Sequence, residues 1–338
     1  MDRRQIVYLE HESRVLAGNP LGDPAARSLP VYLPPSYHTD TSRRFPVIWV
    51  LAPFTSWGER FFNLQPWDEN IVQRMDRLVR EGKALPAILA FPDCFTRYGG
   101  SQYVNSTATG RYEDYLLEEL IPFLDSQLRT LPGREHRGVL GYSSGGFGAL
   151  WLALQHPEHF GAAASHSGDM AFEFCYWPDI PGAIRALEGA GGIPAFLESI
   201  GEGREKSRDW WSALNLIAMS ACYSPSSANE YGFDLPFDLY TGEIRSEVWD
   251  RWLTFDPVRL AVGRIEALQS LRALYFDCGT RDEYNLFLGA RRLHRLLEQY
   301  SVSHVYEEYE GGHFNVTWRY EVSLPLLTRA LSPQGNWK

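Results

Sequence analysis

Short apolar runs alternate with longer segments of helical period along most of this chain. Apolar stretches of strand length fall at 5–10, 28–33, 47–51, 87–91, 138–140, 162–165, 273–276 and 305–309. Amphipathic or small-residue patterns at 70–81, 112–129, 144–155, 286–299 and 318–331 read as helices. Strand and helix in turn predict a mainly parallel sheet covered by helices on both faces. The first two runs have no helix between them, so they are expected to pair antiparallel at one edge. Pro122 falls inside the second helix, where its missing N–H and its ring predict a kink or a break.

Between 170 and 257 the alternation stops. That stretch carries Phe172, Tyr176, Trp177, Trp210, Trp211, Trp249 and Trp252 among Pro and Gly clusters, with a charged patch at 202–206. It is expected to be a cap-like insertion into a core formed by 1–169 and 258–338, and 338 residues suit one large α/β domain of this kind. Most of its aromatics are expected to pack a small core, since large apolar side chains are mostly buried. Their abundance points, as far as composition goes, to a hydrophobic or aryl ligand.

A net charge of −10 speaks against nucleic acid or an anionic membrane as a partner, because the long-range field repels both. Met1-Asp2-Arg3-Arg4-Gln5 leads into a short apolar run broken by Glu10, His11 and Glu12, so no signal peptide is predicted. No apolar stretch reaches membrane-spanning length, and a cytoplasmic protein is the expectation. Cys94, Cys175, Cys222 and Cys278 are too scattered for a metal site and read as buried thiols. The sequence assigns no oligomeric state.

The chemistry begins at Gly141-Tyr142-Ser143-Ser144-Gly145, a Gly-x-Ser-x-Gly between a predicted strand and a predicted small-residue helix. That context is a nucleophile elbow, whose tight turn exposes the serine hydroxyl. A serine hydroxyl needs a positioned base, and the base needs an orienting group. Of nine histidines, only His294, His304 and His313 follow the elbow at a distance. His294 lies in a charged helix and His304 opens a strand. His313, in Glu310-Gly311-Gly312-His313, sits on a glycine-rich loop after the last strand, where it can turn back over the sheet, and it is the chosen base.

The acid is expected after the preceding strand, where Asp277, Asp282 and Glu283 are available. Asp282, past a Gly-Thr turn, is favoured; Asp277 at the strand end is expected to satisfy loop amides, and Glu283 to begin the next helix. Transition-state charge requires donors: the N–H of Ser144 supplies one, and the loop after 47–51 a second. Pro53 has no N–H, so Phe54 is the first choice there and Thr55 the next.

Val31-Tyr32-Leu33-Pro34-Pro35-Ser36-Tyr37, Phe45-Pro46-Val47-Ile48-Trp49-Val50-Leu51, Tyr112-Glu113-Asp114-Tyr115 with Glu119-Leu120-Ile121-Pro122, and the elbow occur in this order. In this the chain resembles the esterase D type of esterase, which includes S-formylglutathione hydrolases, feruloyl and acetylxylan esterases, siderophore esterases and the antigen 85 mycolyltransferases. The resemblance runs from about Ser28 to Leu331 and implies an α/β-hydrolase fold, a small-molecule ester as substrate, and neither metal nor cofactor. It carries the nucleophile onto Ser143, the acid onto Asp282 in Cys-Gly-Thr-Arg-Asp, and the base onto His313 in Gly-Gly-His. The chain departs from the family at Ala52-Pro53, where relatives have His-Gly or Ser-Gly, which bears on the second oxyanion donor. The expected function is carboxylic-ester hydrolysis through an acyl-enzyme; an acyltransferase with the same triad and a non-catalytic binding protein of the same fold are the alternatives.

Overall fold

The computed structural model describes residues 5–202 and 206–333, so the middle of the charged patch at 202–206 lies outside the described residues. Ten strands occur among them: β1 (Ile6–Glu12), β2 (Ala26–Tyr32), β3 (Val47–Leu51), β4 (Ile88–Ala90), β5 (Asn105–Ser106), β6 (Gly110–Arg111), β7 (Arg137–Tyr142), β8 (Ala162–His166), β9 (Ala273–Gly279) and β10 (Val305–Tyr309). Eight of them form one sheet in the order β1-β2-β4-β3-β7-β8-β9-β10, and β5 and β6 make a separate small hairpin. β1 with β2 and β2 with β4 are antiparallel; every other neighbouring pair in the large sheet is parallel. The fold is the α/β-hydrolase fold, with the antiparallel strands at one edge.

Alternation along β3 shows how the sequence divides the core. Val47, Trp49 and Leu51 enter the cluster on one face, and Ile48 and Val50 enter the cluster on the other. A strand buried on both sides has no polar face, which is why Val47–Leu51 is apolar throughout. Helices Ile71–Arg80 and Tyr320–Ala330 cover the second face. Asn70 caps the first of these with a reciprocal bond to Gln73, so the helix starts one residue inside the predicted span.

Pro122 neither kinks nor breaks its helix in the expected way. Tyr115–Leu120 is wound as a π-helix, and Ile121 N–H reaches back to Leu116 O. The wider turn accommodates the proline at the start of the following α-helical segment Ile121–Gln127, where its missing donor is tolerated.

The aromatic segment contributes helices Phe172–Cys175, Ile180–Ala190, Ile193–Glu198, Arg208–Tyr223 and Ser246–Leu253. Its aromatics do not form a core of their own: they join the same cluster as the sheet's first face. Phe147 and Trp151 of helix Ser144–Gln155 meet Phe172, Tyr223 and Phe255 at ring separations of 5.0–6.0 Å. Helix Ser144–Gln155 is therefore buried on all sides, which explains why its sequence has no polar stripe. All four cysteines are buried and free. No helix among the described residues is long and apolar enough to cross a membrane.

Candidate active site

β7 ends at Tyr142, and Ser143 turns the chain directly into helix Ser144–Gln155 with φ 57° and ψ −124°. That conformation is disfavoured for any residue with a Cβ and costs about 1–3 kcal/mol. The flanking glycines make it possible. A Cβ on Gly141 would lie 1.9 Å from Gly145 O, and one on Gly145 would lie 2.1 Å from Leu51 O. The same strain extends to neighbouring loops at the carboxyl ends of the strands: Thr55, Gln102, Tyr103, Ser167 and Ala171 also have positive φ. Such clustering is typical of sites where geometry serves chemistry.

Parallel pairing of β9 with β10 brings the acid and base loops together. Beyond the strands, Thr280 N–H bonds Tyr309 O and Arg281 N–H bonds Gly311 O, each at 2.9 Å. Asp282 Oδ2 stands 2.7 Å from His313 Nδ1, and His313 Nε2 stands 3.0 Å from Ser143 Oγ. Asp282 and His313 are both buried, while Ser143 keeps partial exposure. The carboxylate is fixed at both oxygens: Oδ1 accepts from Tyr284 N–H at 2.9 Å, and Oδ2 also lies 3.7 Å from Cys278 Sγ. The three residues singled out in the sequence thus form one hydrogen-bonded chain from carboxylate to hydroxyl.

Two contacts that sequence reasoning missed hold the histidine loop over the sheet. Tyr142, the variable residue of the Gly-x-Ser, donates its hydroxyl to His313 O, and Glu283 Oε2 accepts His313 N–H at 2.6 Å. Glu283 therefore supports the base rather than beginning a helix; the helix that follows is Leu286–Gln299, with Asn285 at its cap. His294 and His304 bond each other at 2.8 Å, so the two rejected histidines form a pair of their own.

Asp277 also differs from expectation. It does not satisfy loop amides with its carboxylate but joins a buried side-chain network. Oδ1 meets His166 Nδ1 at 2.9 Å, and Oδ2 accepts from Arg319 Nε at 2.6 Å and Tyr275 OH at 2.7 Å. Burial works against its charge, and His166 and these bonds together hold the carboxyl below its ordinary range. Asp277→Ala would leave Arg319 to Glu307 and the Tyr275 hydroxyl, and His166 to Ser323 alone, so a loss of about 1.5–3 kcal/mol is expected in urea denaturation. Folded Asp277→Ala should keep its ester turnover; a thousand-fold loss with the fold intact would instead make Asp277 the acid.

Of the backbone donors named in the sequence, two are free among the described residues. Ser144 opens its helix, so its N–H has no intrahelical acceptor, and Phe54 N–H meets no acceptor among the described residues. Thr55 N–H is committed to Gly99 O at 2.7 Å, which removes it as the second choice for the oxyanion loop. Among the described residues no group of three or more His, Cys, Asp or Glu side chains converges to hold a metal ion.

Asp169, in the loop after β8, is a buried carboxylate that sequence reasoning did not weigh; its only signal was a polar residue on a Ser-Gly turn at the carboxyl end of an apolar strand. Burial pushes it up to about 6, against the opposing charge of His313 and bonds from Tyr176 and Gln102. A carboxyl whose folded-state value exceeds its unfolded value of 3.8 favours folding at low pH. That contribution is lost as pH rises through about 6. Asp169→Asn does not titrate, so its stability relative to the parent should improve by about 2 kcal/mol between pH 4 and pH 8. Denaturation midpoints at the two pH values would show it; an equal difference at both would contradict it.

Comparison with known proteins bears on the family and the fold. The chain is 32% identical over 110 residues to an esterase of Mycobacterium tuberculosis, a match covering 31% of this chain and 24% of that one. It thus spans about a quarter of the length of the first curated relatives it matches. An uncharacterised protein of Bacillus subtilis is 28% identical over 191 residues, 53% of this chain and 70% of that one. Among solved structures, a ferulic acid esterase superposes with a TM-score of 0.62 at 19% identity, covering 96% of this chain and 98% of the other. An S-formylglutathione hydrolase from Agrobacterium tumefaciens gives 0.58 at 15% identity, covering 97% and 95%. At such identities these likenesses bear on the fold. The family model described as "Putative esterase" matches residues 25–324, nearly the whole chain, and the protein belongs to that esterase family.

Proposed function

We propose that the protein is a serine carboxylic-ester hydrolase acting on a small-molecule ester. The observation that carries this reading is the chain of contacts from Asp282 Oδ2 through His313 to Ser143 Oγ, at 2.7 Å and 3.0 Å. Ser143 Oγ attacks the ester carbonyl as His313 Nε2 takes its proton, and Asp282 holds the imidazole with Nδ1–H toward the carboxylate. The tetrahedral oxyanion receives the N–H groups of Ser144 and Phe54, each donor contributing on the order of 10²–10³ in turnover. The histidinium returns the proton to the departing alkoxide, leaving an acyl-enzyme. Water then attacks that acyl group with the same histidine as base. Residues 170–257 act in this reading as the cap that shapes the substrate side of the elbow.

Fluorophosphonate labelling followed by peptide mass analysis tests the reading, together with p-nitrophenyl acetate turnover. One label per chain on the peptide bearing Ser143, and a burst of nitrophenol equal to the enzyme present, are expected. Labelling elsewhere, or no turnover of any activated ester, would remove the proposal.

A further inference from the structure

Asp169 has no part in the chain of triad contacts, yet the surrounding structure orients it closely. Gln102 Nε2 donates to Asp169 Oδ2 at 3.2 Å and to the Tyr223 hydroxyl at 3.0 Å, and the Tyr176 hydroxyl lies 3.1 Å from the same Oδ2. Gln102 stands in left-handed backbone, φ 52°, and is 1% exposed. Its other amide arm, Oε1, is buried with no partner among the described residues. Asp169 Oδ1 likewise receives no donor among them, and the residue keeps 9% exposure. Gln102 Oε1, a buried acceptor without a donor, is costly in an aromatic surrounding, and Asp169 Oδ1 beside it is left open.

Their position is beside the nucleophile. Gly168 packs against Gly146 of helix Ser144–Gln155, so closely that a Cβ on Gly146 would lie 2.9 Å from Gly168 Cα. The Gln102 loop is tied to the oxyanion loop by Thr55 N–H to Gly99 O and by Tyr103 OH to Ala52 O, both 2.7 Å. Among ionisable side chains, His313 is the one coupled most strongly to Asp169. A residue that lowers stability at neutral pH and leaves acceptors open next to a reactive serine fits a role in function rather than in folding.

We propose that Asp169, oriented by Gln102 and Tyr176, is a specificity-determining residue that accepts a hydrogen bond from a hydroxyl or ammonium group carried on the acyl chain near the scissile ester. This rests on the serine-esterase reading. A substrate with such a donor completes the polar cluster, whereas its unsubstituted isostere leaves the acceptors unpaired and is discriminated against. Hydroxyl and ammonium share this chemistry, and separate substrates distinguish them.

The experiment compares methyl butyrate with methyl esters of butyric acids bearing a hydroxyl or an amino group at carbon 2, 3 or 4, followed by pH-stat. At one position at least, kcat/KM of the parent is expected to exceed that of methyl butyrate by about tenfold or more. Asp169→Asn keeps its oxygen toward Gln102 Nε2 and Tyr176 OH, so it turns an amide N–H₂ toward the substrate. The preference should vanish, with kcat/KM falling about tenfold more for the preferred substrate than for methyl butyrate. Asp169→Ser, which shortens the side chain, should lose the preference in the same way, and denaturation midpoints verify that both variants fold. No preference at any position in the parent overturns the proposal. So does an equal fall for methyl butyrate and its substituted analogues in Asp169→Asn, since that marks a general electrostatic effect on His313. Absence of any Ser143-dependent ester turnover would sink the esterase reading first, and is recognisable because all substrates then fail alike.

Discussion

Ser143→Ala is expected to lower kcat on p-nitrophenyl acetate by about 10⁶-fold and to abolish fluorophosphonate labelling. The alanine keeps the Cβ and hence the strained backbone at φ 57°, and it leaves Ser144 N–H and Phe54 N–H in place. What disappears is the atom that forms the acyl bond, so residual turnover would come only from water held against the remaining donors. The stability of this variant should match the parent within about 0.5 kcal/mol, because one partly exposed hydroxyl is lost. Ser143→Gly makes the complementary measurement. It is equally inactive, but it relieves the left-handed strain at a position where glycine is tolerated, and against the added flexibility of the unfolded chain a net gain of about 1 kcal/mol is expected. Activity surviving in both variants would remove Ser143 from the chemistry.

The sheet and its elbow were legible because their sequence signals are local. Alternation of apolar runs with helical periods gave eight strands of the main sheet within a few residues, and two glycines, each two residues from the serine on either side, marked a turn that only glycine can flank. Asp282 and His313 were legible for a different reason: parallel strands that neighbour each other present successive loops on one end of the sheet, so a polar residue just past each strand has few places to go. What escaped was everything set by contacts distant in sequence. Tyr142 OH reaching His313 O spans 171 positions, and the Gln102 to Asp169 contact spans 67. Asp277 shows the same limit from the other side. Its neighbours in sequence suggested loop amides, while its partners, His166 and Arg319, come from β8 and from the turn before the last helix. The π-helical turn ahead of Pro122 is another case, since the sequence shows the lost donor but not which neighbouring turn widens to absorb it.

Asp282→Asn should reduce kcat by about 10⁴-fold without unfolding the protein, and the reason lies in how the carboxylate is held. Oδ1 accepts Tyr284 N–H, a backbone donor that will hold whichever atom of the amide can accept. Asparagine therefore keeps its oxygen there and directs its N–H₂ toward His313 Nδ1, the position Oδ2 occupies at 2.7 Å. A donor facing Nδ1 forces the imidazole into the tautomer that carries its hydrogen on Nε2. That hydrogen then points at Ser143 Oγ, 3.0 Å away, and the ring can no longer take the serine proton. Glu283→Gln gives the contrast, since among the described residues Glu283 accepts the backbone N–H of His313 and the glutamine's amide oxygen still accepts that bond, so a loss of no more than about tenfold is expected. Steady-state kinetics on the two variants, with urea denaturation alongside, separate the assignments. A loss under about tenfold in Asp282→Asn together with a collapse in Glu283→Gln would transfer the orienting role to Glu283, because the residue that fixes the tautomer is the one whose amide cannot replace its carboxylate.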